Sequence, residues 1–121
     1  MDPYPVPLIT RFIKEWRLSF LKISNLSGNI GLCRKAGKLI IGAAEVKEGI
    51  ISKKVKIILL ASDAAENTAS MIERNAQMYN IPLVKLPLSK KQLGHAIGMK
   101  DVAVTGIIDS GFAKSFSNIE I

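Results

Sequence analysis

Residues 31–61 read GLCRKAGKLIIGAAEVKEGIISKKVKIILLA, from Gly31 to Ala61, and they carry the information that decides the fold. Gly37 stands where a helix C-cap is expected, Leu39 to Ile41 are branched and apolar, and Gly42 then opens a second helix. That helix, Ala43 to Ser52, places Ala43, Val46 and Ile50 on one side. Lys53, Lys54 and Lys56 surround the turn into Val55 to Ala61, whose run VKIILLA is continuous enough for a strand buried on both faces. A strand, a helix and a second strand follow one another within about thirty residues, with Arg34, Lys35 and Lys38 on the outside. A helix N-terminus at a glycine with cations beside it is a place where an anion can dock.

Upstream, Ser24 to Gly37 reads as a helix with Leu26, Ile30 and Cys33 inward and Arg34 and Lys35 near its C-terminal end, where cations offset the helix dipole. Before it, Ile9, Phe12, Ile13, Trp16, Phe20 and Ile23 recur at three- and four-residue steps, predicting an amphipathic, net basic helix from Leu8 to Ile23. Pro3, Pro5 and Pro7 keep the first seven residues extended. Downstream, Asp63 and Glu66 have the spacing of a capping box, and Ala65, Ala69, Ile72, Ala76 and Tyr79 mark a helical face as far as Asn80. Leu83 to Leu86 is a short strand, and Ser89 with Gln92 is a second capping box, opening a helix that Gly98 ends. Val102 to Ile108 is the last strand, with a short final helix around Phe112 to Phe116. Strand and helix alternate four times, which predicts an α/β fold: a three-layer α/β/α sandwich with a small central mixed sheet of about four strands. Residues 1–23 are expected to form a tail and helix preceding a domain over 24–121.

The chain has 121 residues, enough for one core, and its 17 Lys and Arg against 10 Asp and Glu give a formal charge of +7. Polyanions are the natural partners, nucleic acid first and an anionic membrane surface second. No run of 18 apolar residues spans a bilayer, and no secretory signal pattern opens the sequence, so a cytoplasmic protein is expected. His95 is the single histidine and Cys33 the single cysteine, so no metal site, catalytic constellation or cofactor is expected. Neither G-x-G-x-x-G nor a Walker A pattern occurs.

Three stretches, GLCRKAGKLIIG, ASDAAENT and LGHAIG, occur in this order. Together they resemble the kink-turn RNA-binding ribosomal-protein family, in particular its short bacterial YlxQ-like branch, over about Ser27 to Ala113. The resemblance implies a non-catalytic RNA-binding domain of the translation apparatus. Its partners would be structured RNA, ribosomal or kink-turn-like, and the ribosome or translation factors, with no DNA. It implies that RNA is held by the N-terminus of the second helix, Gly42, Ala43, Ala44 and Glu45, and by the loop Met99, Lys100 to Val102 before the last strand. Arg34, Lys35, Lys38 and Lys47 would supply positive charge, with Lys38 meeting phosphate.

Family members that contact RNA favour a polar residue and a Lys where this chain has Ala44 and Glu48. Ala offers no hydrogen bond to a base edge and Glu repels phosphate, so recognition led by shape and charge is expected. The competing reading is a protein-interaction module on the same fold, docking a protein partner through the Ile9 to Ile23 helix or the Val46 helix face.

Overall fold

The computed structural model describes residues 26–117. The expected N-terminal tail, the amphipathic helix from Leu8 to Ile23 and the first residues of the next helix lie outside the described residues, as do the last four positions. The described chain opens with helix α1 over 26–35. There follow β1 (Leu39–Ile41), α2 (Ala43–Ile51), β2 (Ile57–Leu60), α3 (Glu66–Met78), β3 (Leu83–Lys85), α4 (Lys90–Ala96), β4 (Val104–Ile107) and α5 (Ser110–Ser117).

The four strands form one mixed sheet in the order β1-β4-β2-β3. β4 lies antiparallel between β1 and β2, with Ile107 opposite both Leu39 and Ile57, while β3 runs parallel to β2 with Leu83 opposite Ile58. Side chains alternate across this sheet. Leu39, Ile41, Ile57, Leu59 and Ile107 pack with Leu26, Ile30 and Cys33 of α1, Leu93 and Ile97 at α4, and Ala113 and Phe116 of α5. Ile40, Ile58, Leu60 and Val104 pack on the other face with Val46 and Ile50 of α2 and Ile72 and Ala76 of α3. Three layers result, and β2 is buried on both faces, as the apolar run VKIILLA predicts.

The local signals hold at Ser89, whose hydroxyl accepts from the Gln92 N–H at 3.1 Å while the Gln92 side chain accepts from the Ser89 N–H at 2.9 Å. They do not hold at Asp63. Helix α3 starts at Glu66 after Ala65, with no side-chain cap, and Asp63 Oδ1 instead accepts from the Lys90 N–H at 2.7 Å. The carboxylate expected to cap its own helix therefore caps α4. The last strand also begins two residues later than expected: the Val102 N–H donates to the Lys90 carbonyl rather than to a strand.

Candidate nucleic-acid interface

Both β1 and β2 end where β4 begins, so the sheet has two unlike ends. At one of them the Gly42 N–H donates to the Val104 carbonyl at 3.1 Å, and the Ala61 N–H donates to the Ala103 carbonyl at 2.8 Å. The first turn of α2 is thereby set beside the segment 102–104, with the start of α4 reached through the Val102 to Lys90 bond.

Gly42 has φ 102° and ψ 149°, a region open in practice to glycine alone, and a Cβ there would lie 2.6 Å from Glu45 Oε2. The Glu45 carboxylate is thus folded back over the glycine. The first backbone bond of the helix runs from the Val46 N–H to the Gly42 carbonyl at 2.9 Å, so the N–H groups of Ala43, Ala44 and Glu45 precede the regular ladder. Ala44, Glu45 and Lys47 are exposed and Ala43 is half-buried.

The loop from Gly98 to Ala103 doubles back along α4. The Met99 N–H donates to the Gly94 carbonyl at 2.8 Å, and the Lys100 carbonyl lies 2.0 Å from where a Gly94 Cβ would stand. This close approach of backbone to backbone is the physical reason for glycine in LGHAIG. Met99, Lys100 and Asp101 are exposed, whereas Val102 is 4 % exposed and packs in the core under α1, so its side chain is not part of the open surface.

The expected basic residues divide. Lys38 lies at the other end of β1 from Gly42, where its carbonyl accepts from the Ile108 N–H at 3.0 Å. Four residues of strand put the two about 13 Å apart. Lys35 is exposed at the end of α1, just before Lys38, and the nine-residue α2 carries Lys53 and Lys54 away from Gly42 by about 13 Å. Arg34 is engaged within the fold: its guanidinium donates to the Ile97 carbonyl at the end of α4. Positive charge is therefore not gathered in one cradle round Gly42. Near Gly42 it is Lys47 on α2, Lys90 and Lys91 at the α4 start and Lys100 in the loop that supply it, interleaved with Glu45, Asp63 and Asp101.

Sequence reading passed over the Asp63 to Lys90 and Arg34 to Ile97 bonds. The second spans 63 positions, with no local pattern to reveal it. Cys33 lies in the core, its thiol pushed up to about 11 by burial and by the nearby Asp109 charge. Among the described residues no group of three His, Cys, Asp or Glu side chains is placed to hold a metal. No described helix is long and apolar enough to cross a membrane.

Residues 24–117 match the Ribosomal protein L7Ae/L30e/S12e/Gadd45 family. The RNA-binding protein YlxQ of Enterococcus faecium is 40 % identical over 85 residues, covering 70 % of this chain and 81 % of that protein. YlxQ of Bacillus subtilis is 31 % identical over 90 residues, 74 % of this chain and 89 % of its own length. The large ribosomal subunit protein eL30 of Pyrobaculum islandicum is 25 % identical over 97 residues, 79 % and 96 % of the two chains. A solved structure of a protein with unknown function from Bacillus halodurans C superimposes with a TM-score of 0.72 at 27 % identity, over 75 % of this chain and 91 % of that one.

Proposed function

Because the chain belongs to that ribosomal-protein family, we propose that it is a non-catalytic RNA-binding protein whose ligand is a sharply bent, kink-turn-like RNA of the translation apparatus. The observation that carries this reading is the Gly42 to Val104 hydrogen bond, 3.1 Å, which joins the N-terminus of α2 to the first residue of β4, next to the loop that leads into it. The two elements together offer the N–H groups that precede the α2 ladder, a glycine with no side chain of its own beside the Glu45 carboxylate, and an exposed loop with Met99 and Lys100. Such a surface suits a phosphate approaching the helix end and an unstacked base against the loop. The YlxQ relatives, named as RNA-binding, support the ligand class.

Ala44 and Glu48 shape the expected affinity. Ala44 is exposed and has no side-chain hydrogen bond to give, and Glu48 lines a groove beside Ile40 with Glu45 and Lys54. Base-edge readout is correspondingly slight, and backbone and shape dominate.

Fluorescence anisotropy of a labelled kink-turn RNA and of the same RNA with its bulge removed, each over a salt series, tests the reading. The kinked RNA is expected to bind more tightly, with log affinity falling by about 0.7–0.9 per log unit of salt for each phosphate engaged. No binding at about 50 mM salt, where such contacts are strong, overturns it.

A further inference from the structure

We propose that Lys38, Lys53, Lys54 and Lys56, at the end of the sheet remote from Gly42, form a second contact for the phosphodiester backbone of the same RNA, so that the ligand runs along the α2 face from one end of the sheet to the other. This rests on the RNA reading above and extends it to a surface that the Gly42 end does not include.

The register and the turn after α2 bring these four residues to one end of the sheet. Leu39 and Ile57 both stand opposite Ile107, so Lys38 and Lys56, one residue earlier on each strand, flank Ile108 from its two sides. The Ile108 N–H donates to the Lys38 carbonyl at 3.0 Å and the Lys56 N–H to the Ile107 carbonyl at 2.7 Å, which continues the pairing to this row. Two strand spacings separate them, about 10 Å, and alternation puts both on the side of Ile40 and Ile58, the layer that α2 covers. Helix α2 ends on that same side. Gly49 meets Ile40 and Val55, its carbonyl accepts from the Lys54 N–H at 2.8 Å, and Lys53 makes the turn at φ 62°.

All four lysines are exposed, and none has a side-chain hydrogen bond or ion pair with a described residue. Among the described residues the acidic groups next in the chain to this row are Asp109 and Glu48. Asp109 Oδ2 accepts from the Phe112 N–H at 3.0 Å, and Glu48 lies a turn earlier on α2. Four ammonium groups at one end of the sheet, with Glu48 in the groove of Lys54 as a partial counterweight, repel one another in the free protein, and a polyanion removes that repulsion while releasing its own counterions. A small anion meets one or two of them, whereas a backbone carrying a charge at every nucleotide meets the whole row.

The test is the full chain carrying Lys38→Gln, Lys53→Gln, Lys54→Gln and Lys56→Gln, compared with wild type in the RNA salt series, with thermal melting as the check on folding. The expected result is a salt slope smaller by about 3 and binding at least tenfold weaker at about 0.1 M salt, with the melting temperature unchanged. If the fourfold variant does not fold, the Lys38/Lys56 and Lys53/Lys54 pairs are measured separately, each expected to lower the slope by about 1.5. Wild-type binding with the same slope and affinity in the variants overturns this inference and leaves the RNA reading standing. A variant that keeps the RNA slope but releases vesicles of phosphatidylserine and phosphatidylcholine overturns it in favour of a membrane surface. Absence of wild-type binding to any RNA removes the RNA reading and this inference with it.

Discussion

The guanidinium of Arg34, near the end of α1, donates to the carbonyl of Ile97, the residue that terminates α4. A cation at a helix C-terminus both satisfies an orphan carbonyl and opposes the helix dipole. It also pins the point from which the loop to β4 departs, since a Cβ on Gly98 would lie 3.4 Å from Arg34 Nη1. Arg34→Ala is expected to cost about 1 kcal/mol of stability and to speed amide exchange at Met99 and Val102. Arg34→Lys, which keeps the charge without the planar fork, is expected to recover part of both. Unchanged exchange in the alanine variant would remove the pinning role.

Gly42→Ala meets two separate obstacles, the backbone at φ 102° and the Glu45 carboxylate 2.6 Å from the new Cβ. The first is a property of the chain and the second of one side chain that can move. The single variant is expected to lose about 1–3 kcal/mol in urea unfolding, and adding Glu45→Ala to recover only a fraction. Full recovery would show that the carboxylate alone excludes a side chain there.

Thr105 is fully buried, opposite Ile41 and Leu59, and its Oγ1 has no hydrogen-bond partner among the described residues. A buried hydroxyl without a partner has lost its water and gained nothing in return. Thr105→Val keeps the β-branched shape and removes the oxygen. It is expected to raise stability by about 1 kcal/mol, which in a domain of this size moves the thermal midpoint by about 4–8 °C. A lower midpoint would mean that the hydroxyl is satisfied in solution.

The Cys33 thiol is held protonated, its pKa pushed up from 9.0 to about 11 by burial and by Asp109. Unfolding releases it to the ordinary value, so between about 9 and about 11 the unfolded state binds fewer protons than the folded one. This contribution to stability is present in full below pH 9 and is lost as pH rises toward 11. Cys33→Ala is expected to flatten the alkaline limb of a stability-versus-pH curve while lowering its plateau, because a buried side chain is truncated. Thiol modification at pH 8 is expected to follow global unfolding, and rapid labelling of the folded protein would contradict the burial.

The elements legible in the sequence are those whose signal is local. Within VKIILLA the residues from Ile57 onward are apolar without interruption and supply the doubly buried strand, and the Ser89 and Gln92 pair forms its box because both partners lie within one turn. Asp63 has the same spacing to Glu66, but its oxygen is taken by Lys90, 27 positions on, and only the packing of α4 onto that corner determines this. The candidate site divides on the same ground. Gly42, Glu45 and the loop before β4 come together because β4 inserts beside β1. Lys38 and Lys53 are close to Gly42 in the chain yet remote in space, since a strand leads into the glycine and a helix leads away in the reverse direction. Charge counted along a sequence has no knowledge of that reversal.

The placement of β4 has a consequence for synthesis. Its four residues, Val104–Ile107, supply the only bridge between β1 and β2 within the described sheet, and they are among the last parts of the domain to be made. A nascent chain that has reached Ala103 holds two apolar ribbons, Leu39–Ile41 and Ile57–Leu60, with no strand to join them. Closure of the sheet thus waits for the last of its described strands, and a premature stop ahead of Val104 leaves sticky, unzipped intermediates rather than a smaller working unit.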